Sequence, residues 1–138
     1  MLTATPKTMM DAILAIDTLE PFINLSQVRT IASHVRDSEE RQYFIDMACD
    51  LAERINSMPK TYEQNGKGDD AIVYLHYFLG GMDWYITEKD KEDEQLQAFG
   101  YADLGYGGEL GYISIVELLE NNIELDLHWT PKPLSECK

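Results

Sequence analysis

The sequence predicts an α+β domain: N-terminal helices packed on a C-terminal antiparallel β-meander of about five strands, with one short helix inserted. Three observations predict it. Apolar residues recur at helical spacing as far as Pro59. After residue 70 the period changes to two. Two aromatic and β-branched runs then flank Gly80-Gly81, a hairpin signal because glycine reaches positive φ without steric cost. The length, 138 residues, fits a single domain spanning 1–138, with 1–7 disordered, a helical part over 8–59 and a β-rich part over 71–130.

The elements follow in chain order. Thr8 caps a first helix, with Asp11 favouring its N-terminal dipole end; Met9, Ile13 and Ile16 with Met10 and Leu14 form its apolar stripe, and Pro21 stops it. A second helix starts at Ser26, carrying Leu25, Val28, Ile31, Ala32 and Val35 at helical spacing. Asp37 reads as the N-cap of a third helix with Glu40 completing a capping box, and Phe44, Met47, Ala48, Leu51, Ala52 and Ile55 form its buried face. Pro59 ends it, because the residue before proline is pushed out of the α region. Residues 60–70 read as a loop.

The hairpin occupies about 71–88. With Phe78 opposite Asp83, one face holds Val73, Leu75, Tyr77, Leu79, Met82, Trp84 and Ile86, a core face. The other holds Ile72, Tyr74, His76, Phe78, Asp83, Tyr85 and Thr87. Lys89–Glu94 reads as a solvated charged connection. Strands follow at Leu96–Leu104 and Leu110–Ser114, divided by the turn Gly105-Tyr106-Gly107-Gly108. Ser114 and Glu117 form a second capping box opening a short helix through Asn121. Glu124–Trp129 alternates as a fifth strand with Leu125, Leu127 and Trp129 inward, and Pro131 and Pro133 end regular structure.

The net charge is −14, unevenly spread: residues 61–138 hold 16 acids and 5 bases, residues 1–60 hold 9 and 6. Phosphate binding needs clusters of Lys and Arg, so nucleic acid and anionic lipid are disfavoured as direct partners. No apolar run approaches the roughly 18 residues of a membrane span, and the N-terminus makes a poor secretory signal. Two cysteines, Cys49 on a helical face and Cys137 in a mobile end, give no disulfide framework and fit a reducing cytoplasm.

Catalytic and metal signatures are missing. His34, His76 and His128 lack ligand spacing, and HxxxH, CxxC and HExxH are absent, so no metal or cofactor is expected. An EF-hand reading from Asp90 puts Gln95 where the turn glycine should be and Tyr101 where the bidentate glutamate should be. The glycine-rich tract from Gly100 to Gly111 lacks the phosphate-loop patterns; it makes turns, and its tyrosines Tyr101, Tyr106 and Tyr112 serve either the core or an interface. Two places could carry an interaction. One is the acidic turn Asp90, Glu92, Asp93 and Glu94. The other is the face of Tyr74, His76, Asp83 and Tyr85, where a carboxylate beside an imidazole could also orient a general base.

The stretches LHYFLGGMDWYITEKD, AFGYADLGYGGELGYISIVEL and LDLHWTPKPL resemble the DUF2958 family of uncharacterised small bacterial proteins. The likeness covers the C-terminal half; the helical N-terminal half departs from it. It implies a mobile-element accessory gene on a plasmid, phage or integrative element, and carries no catalytic residues over. Two functional readings stand. The first is a small acidic non-enzymatic protein that binds a basic partner, a DNA-handling or defence protein, in counter-defence of the anti-restriction or anti-CRISPR type. The second is a small-ligand-binding protein or enzyme using the Tyr74/His76/Asp83/Tyr85 face. A third, structural role would work through an oligomer, with a homodimer the simplest case.

Overall fold

The helical half begins at a cap that the sequence specifies. In the computed structural model, which describes residues 5–138, the Thr8 hydroxyl accepts from the Asp11 N–H and the Asp11 carboxylate accepts from the Thr8 N–H, opening α1 (Met9–Leu19). The buried face of α1 is Ala12, Ala15 and Leu19 rather than the larger side chains: Met10, Ile13 and Leu14 are exposed. Small residues let α1 approach α3 (Arg41–Ser57) closely, and the bulky ones are left outside. A 3-10 turn over Glu20–Phe22 absorbs Pro21. α2 (Leu25–Asp37) starts one residue earlier than expected, because Asn24 caps it by accepting from the Gln27 N–H. Asp37 is the last residue of α2, so it cannot cap α3; Glu40 takes that place without a side-chain cap bond. Residues 1–4 of the expected disordered segment lie outside the described residues, while the Lys7 carbonyl accepts from Gln42 of α3 at 3.0 Å.

The strands are β1 (Ile72–Val73), β2 (Leu75–Leu79), β3 (Met82–Glu88), β4 (Ala98–Asp103), β5 (Gly108–Ile113), β6 (Glu124–Leu125) and β7 (Lys132–Pro133), with α4 (Ile115–Glu120) before β6. α4 is capped by the Ser114 hydroxyl, which accepts from the Glu117 N–H. Five strands form one antiparallel sheet in the order β5-β4-β3-β2-β6. Phe78 stands opposite Asp83 and Tyr77 opposite Trp84, the register the two-residue turn requires, with Gly80 at φ +56°. Leu75, Tyr77, Trp84 and Ile86 are buried beneath the helices, while Leu79 at the hairpin tip is exposed.

Three elements differ from the sequence pattern. β1 is not a continuation of β2: it pairs with β7 in a separate two-stranded sheet. Pro133 therefore lies in a strand, tolerated because β7 is a short edge. The fifth strand stops at Leu125, where Asp126 starts a turn by accepting from the His128 N–H. That turn sends Trp129 to the sheet face away from the helices, where its indole N–H donates to the Val73 carbonyl. The end of the chain is anchored rather than mobile, with Leu134 fully buried and its N–H donating to Ala71 O.

Buried polar side chains join the halves. The Gln27 amide accepts from the Leu125 N–H at 3.0 Å and donates to the Leu125 carbonyl at 2.9 Å, so a side chain takes the place of a further strand beside β6. Asn24 donates to the Ile123 carbonyl, and the buried Tyr77 hydroxyl donates to Phe22 O at 2.6 Å. Gln64 does for Ile72 what Gln27 does for Leu125, binding both its backbone groups.

Trp84 is 8% exposed, on the sheet row shared with Tyr77 and Ala102. We expect Trp84→Ala to destabilise the protein by about 3–5 kcal/mol through lost burial plus a cavity, read from the chemical denaturation midpoint.

Candidate functional site

The pairing of β2 with β3 puts His76 directly across from Tyr85, and Asp83 one row away on the same face. The His76 Nε2 lies 2.7 Å from Asp83 Oδ1, and Nδ1 lies 3.4 Å from Asp126 Oδ2. The imidazole stacks on Tyr85 with centroids 4.8 Å apart and planes inclined by 11°, and the Trp129 ring centroid lies 4.9 Å from it. His76, Asp83 and Tyr85 are thus brought together as the register implies. Tyr74 is not part of the group: it sits between β1 and β2, partly buried against the core.

The sequence reading did not place Asp126, Trp129, Tyr101 or Asp103 here. Asp126 and Trp129 arrive through the turn after β6, whose signal is an aspartate at the first turn position. Tyr101 and Asp103 arrive through the β3–β4 register, which sets them opposite Tyr85 and Asp83. That register depends on a bulge between Ile86 and Glu88. It also depends on Gly100, where a Cβ would lie 1.9 Å from the Tyr85 carbonyl oxygen.

Both His76 nitrogens face carboxylates, Asp83 closely and Asp126 at the limit of hydrogen-bond distance. Both can donate at once only in the imidazolium form. The Tyr85 phenol is pushed up to about 12, by burial first and then by Asp83, Cys137, Asp103 and Tyr101. Burial raises the thiols of Cys49 and Cys137 above their ordinary value, the opposite of an activated nucleophile. A cleft of about 380 Å³ opens beside this face, between α3 and residues 127–130; Tyr43, Asp46, Asp50, Arg54, His128 and Trp129 line it, and His76, Asp83 and Tyr85 do not. Among the described residues, no group of three or more His, Cys, Asp or Glu side chains is arranged to hold a metal ion, and no helix is long and apolar enough to cross a membrane.

The acidic turn divides. Glu92, Asp93 and Glu94 are exposed. Asp90 is 4% exposed and belongs to the fold, a correction to its reading as a solvated interaction residue. Its carboxylate accepts from the N–H groups of Glu92, Leu96 and Gln97, holding the turn closed. Burial alone would raise this carboxyl, but those three N–H donors outweigh it and hold it below the ordinary value. Lys89 is buried as well; its ammonium donates to the Ile55 carbonyl at 2.7 Å in the last turn of α3, and burial lowers its pKa.

A family model described as a protein of unknown function, DUF2958, matches residues 47–135. That is more than half of the chain, and the chain belongs to this family. No curated protein and no solved structure matches it.

Two measurements check this geometry. A phenol raised from 10.0 to about 12 stabilises the fold below pH 10, a contribution lost as pH climbs towards 12. Ultraviolet titration of the parent protein should show a tyrosinate step near 12 that Tyr85→Phe lacks. Asp90→Ala should cost about 1–3 kcal/mol by orphaning buried N–H groups. Changing Glu92, Asp93 and Glu94 to Lys should shift stability by about 1 kcal/mol or less. The contribution of Asp90 is present above the ordinary carboxylate value of 3.8 and is lost as pH falls through its depressed one.

Proposed function

We propose that this DUF2958 member is a non-enzymatic, acidic interaction protein that binds a basic surface on another protein. The observation that carries the reading is how little of its negative charge is internally paired. The chain has 25 acidic residues. Among the described residues, Asp37 and Asp69 pair with Arg36 and Lys138, and Asp83 and Asp126 flank His76. Of the acids in the β-rich half, Glu88 and Asp90 are buried; the field of the others projects into solvent. Such a field speeds encounter with a basic surface and disfavours acidic partners.

The occupied His76 nitrogens and the raised thiols weigh against the enzymatic alternative. The mobile-element setting that the family resemblance implies directs the proposal to counter-defence of the anti-restriction or anti-CRISPR type. Proteins that handle DNA carry basic surfaces for phosphates, and an acidic protein competes for them.

The test is capture from a native bacterial lysate with salt-graded elution, followed by kinetics with the purified partner. The expected partner is basic, and its association rate falls as salt screens charges beyond about 8 Å. Reversing Glu92, Asp93 and Glu94 to lysine, with Asp90 retained, should slow association without unfolding the protein. Binding that ignores both salt and the reversal would overturn the proposal.

A further inference from the structure

The sheet face away from the helices carries a juxtaposition that folding does not need. Asp83 of β3 stands directly opposite Asp103 of β4, and like charges so placed are destabilising. Among the described residues no Lys or Arg pairs with either. Asp83 Oδ1 is engaged by His76 and Asp103 Oδ1 accepts from the Gly105 N–H, which leaves Oδ2 of each without a protein donor. In the next row along the strands Tyr85 stands opposite Tyr101, with ring centroids 6.4 Å apart. Tyr101 is held in place by the Gly108 N–H, which donates to its hydroxyl. Exposed Phe78 and Leu110 flank these rows and offer cover for an aliphatic stem.

The aromatic groups on this face already attract cations. The Lys132 ammonium lies 4.8 Å from the Trp129 ring centroid, and that of Lys138 lies 5.0 Å from the Tyr101 centroid. Both lysines come from the segment that crosses the face after β6.

We propose that this face docks an arginine side chain presented by a basic partner protein. The guanidinium displaces the Lys138 ammonium from Tyr101 and lies on the Tyr85–Tyr101 pair, its N–H fork reaching the free oxygens of Asp83 and Asp103. A planar, weakly hydrated cation that stacks and donates from two edges fits this arrangement; a compact lysine ammonium can satisfy the carboxylates or the rings, but not both in one pose. The incoming cation also removes the repulsion between Asp83 and Asp103. The proposal rests on the reading that the partner is basic, and adds where it binds and through which side chain.

The experiment uses the full chain and two labelled peptides of identical neutral composition, one bearing arginines and the other lysines, followed by fluorescence anisotropy at low salt. The arginine peptide should bind about tenfold tighter or better. The double variant D83N/D103N should weaken it by at least about tenfold, as should Tyr85→Leu. Each asparagine Oδ1 can still accept from His76 or Gly105, so folding is preserved. Asp103→Asn alone should melt no lower than the parent, since it relieves the like-charge contact. The amide triple E92Q/D93N/E94Q, at the other end of β3, should change affinity by less than about threefold.

Equal affinity for the two peptides, or undiminished binding by D83N/D103N, overturns this docking surface. If the amide triple alone loses binding, the face is refuted while the basic-partner reading survives on the acidic turn. If neither peptide binds the parent protein, the face is refuted and the wider reading stands or falls on the salt-graded capture.

Discussion

Four consecutive polar residues, Thr87, Glu88, Lys89 and Asp90, are buried at the end of the central strand, and the rest of the structure is arranged around them. Burying such groups is tolerable only where each finds partners. Thr87 places its hydroxyl between the Phe99 carbonyl and the Glu88 carboxylate. Glu88 accepts from the Tyr62 and Gln64 N–H groups, Lys89 donates to the end of α3, and Asp90 closes the turn into β4. One short run thereby fixes the helix-to-sheet junction, the loop over 60–70 and the β3–β4 bulge together. The bulge sets the register that puts Tyr101 and Asp103 beside Tyr85 and Asp83. The open face is thus a remote product of these buried contacts.

The two faces of the sheet are built under different constraints. The inner one is apolar and closed, down to a phenol that donates to a helix-end carbonyl. The outer one gathers rings, carboxylates and one imidazole that fill one another's hydrogen-bonding needs only in part. Nothing in core packing requires Asp83 and Asp103 to face each other. A half-buried residue pattern that costs stability and still reaches solvent fits selection for contact with something else, which is the physical ground for reading this face as an interaction surface.

Much of the fold was legible because local rules decide it. The α+β division, the Thr8 cap and the hairpin register all rest on contacts a few residues apart, and the structure has them. The group of His76, Asp83 and Tyr85 was legible for the same reason, since an even turn fixes which side chains share a face. What was not legible depends on distant chain. Lys89 and Asp90 look like neighbours of Glu92–Glu94 until α3 and the turn into β4 bury them. Asp37 satisfies a capping pattern that α2 had already absorbed. Trp129 alternates correctly with Leu125, but the Asp126 turn reverses its direction. For α1, periodicity marked a stripe of Met9, Ile13 and Ile16 with Met10 and Leu14, whereas close approach to α3 buries Ala12, Ala15 and Leu19, which that reading did not name.

The clasp between Gln27 and Leu125 joins residues 98 positions apart in sequence. Closing a chain segment of that length costs entropy before any contact repays it. The helices and the hairpin can each form early from nearby contacts, whereas this latch can close only once β6 has been laid against β2. It should therefore be absent from the rate-limiting folding step and present in the finished protein. Weakening it would leave refolding speed almost untouched and shorten the lifetime of the native state. The persistence of the protein, as distinct from its ability to fold, is governed in part by a single buried amide.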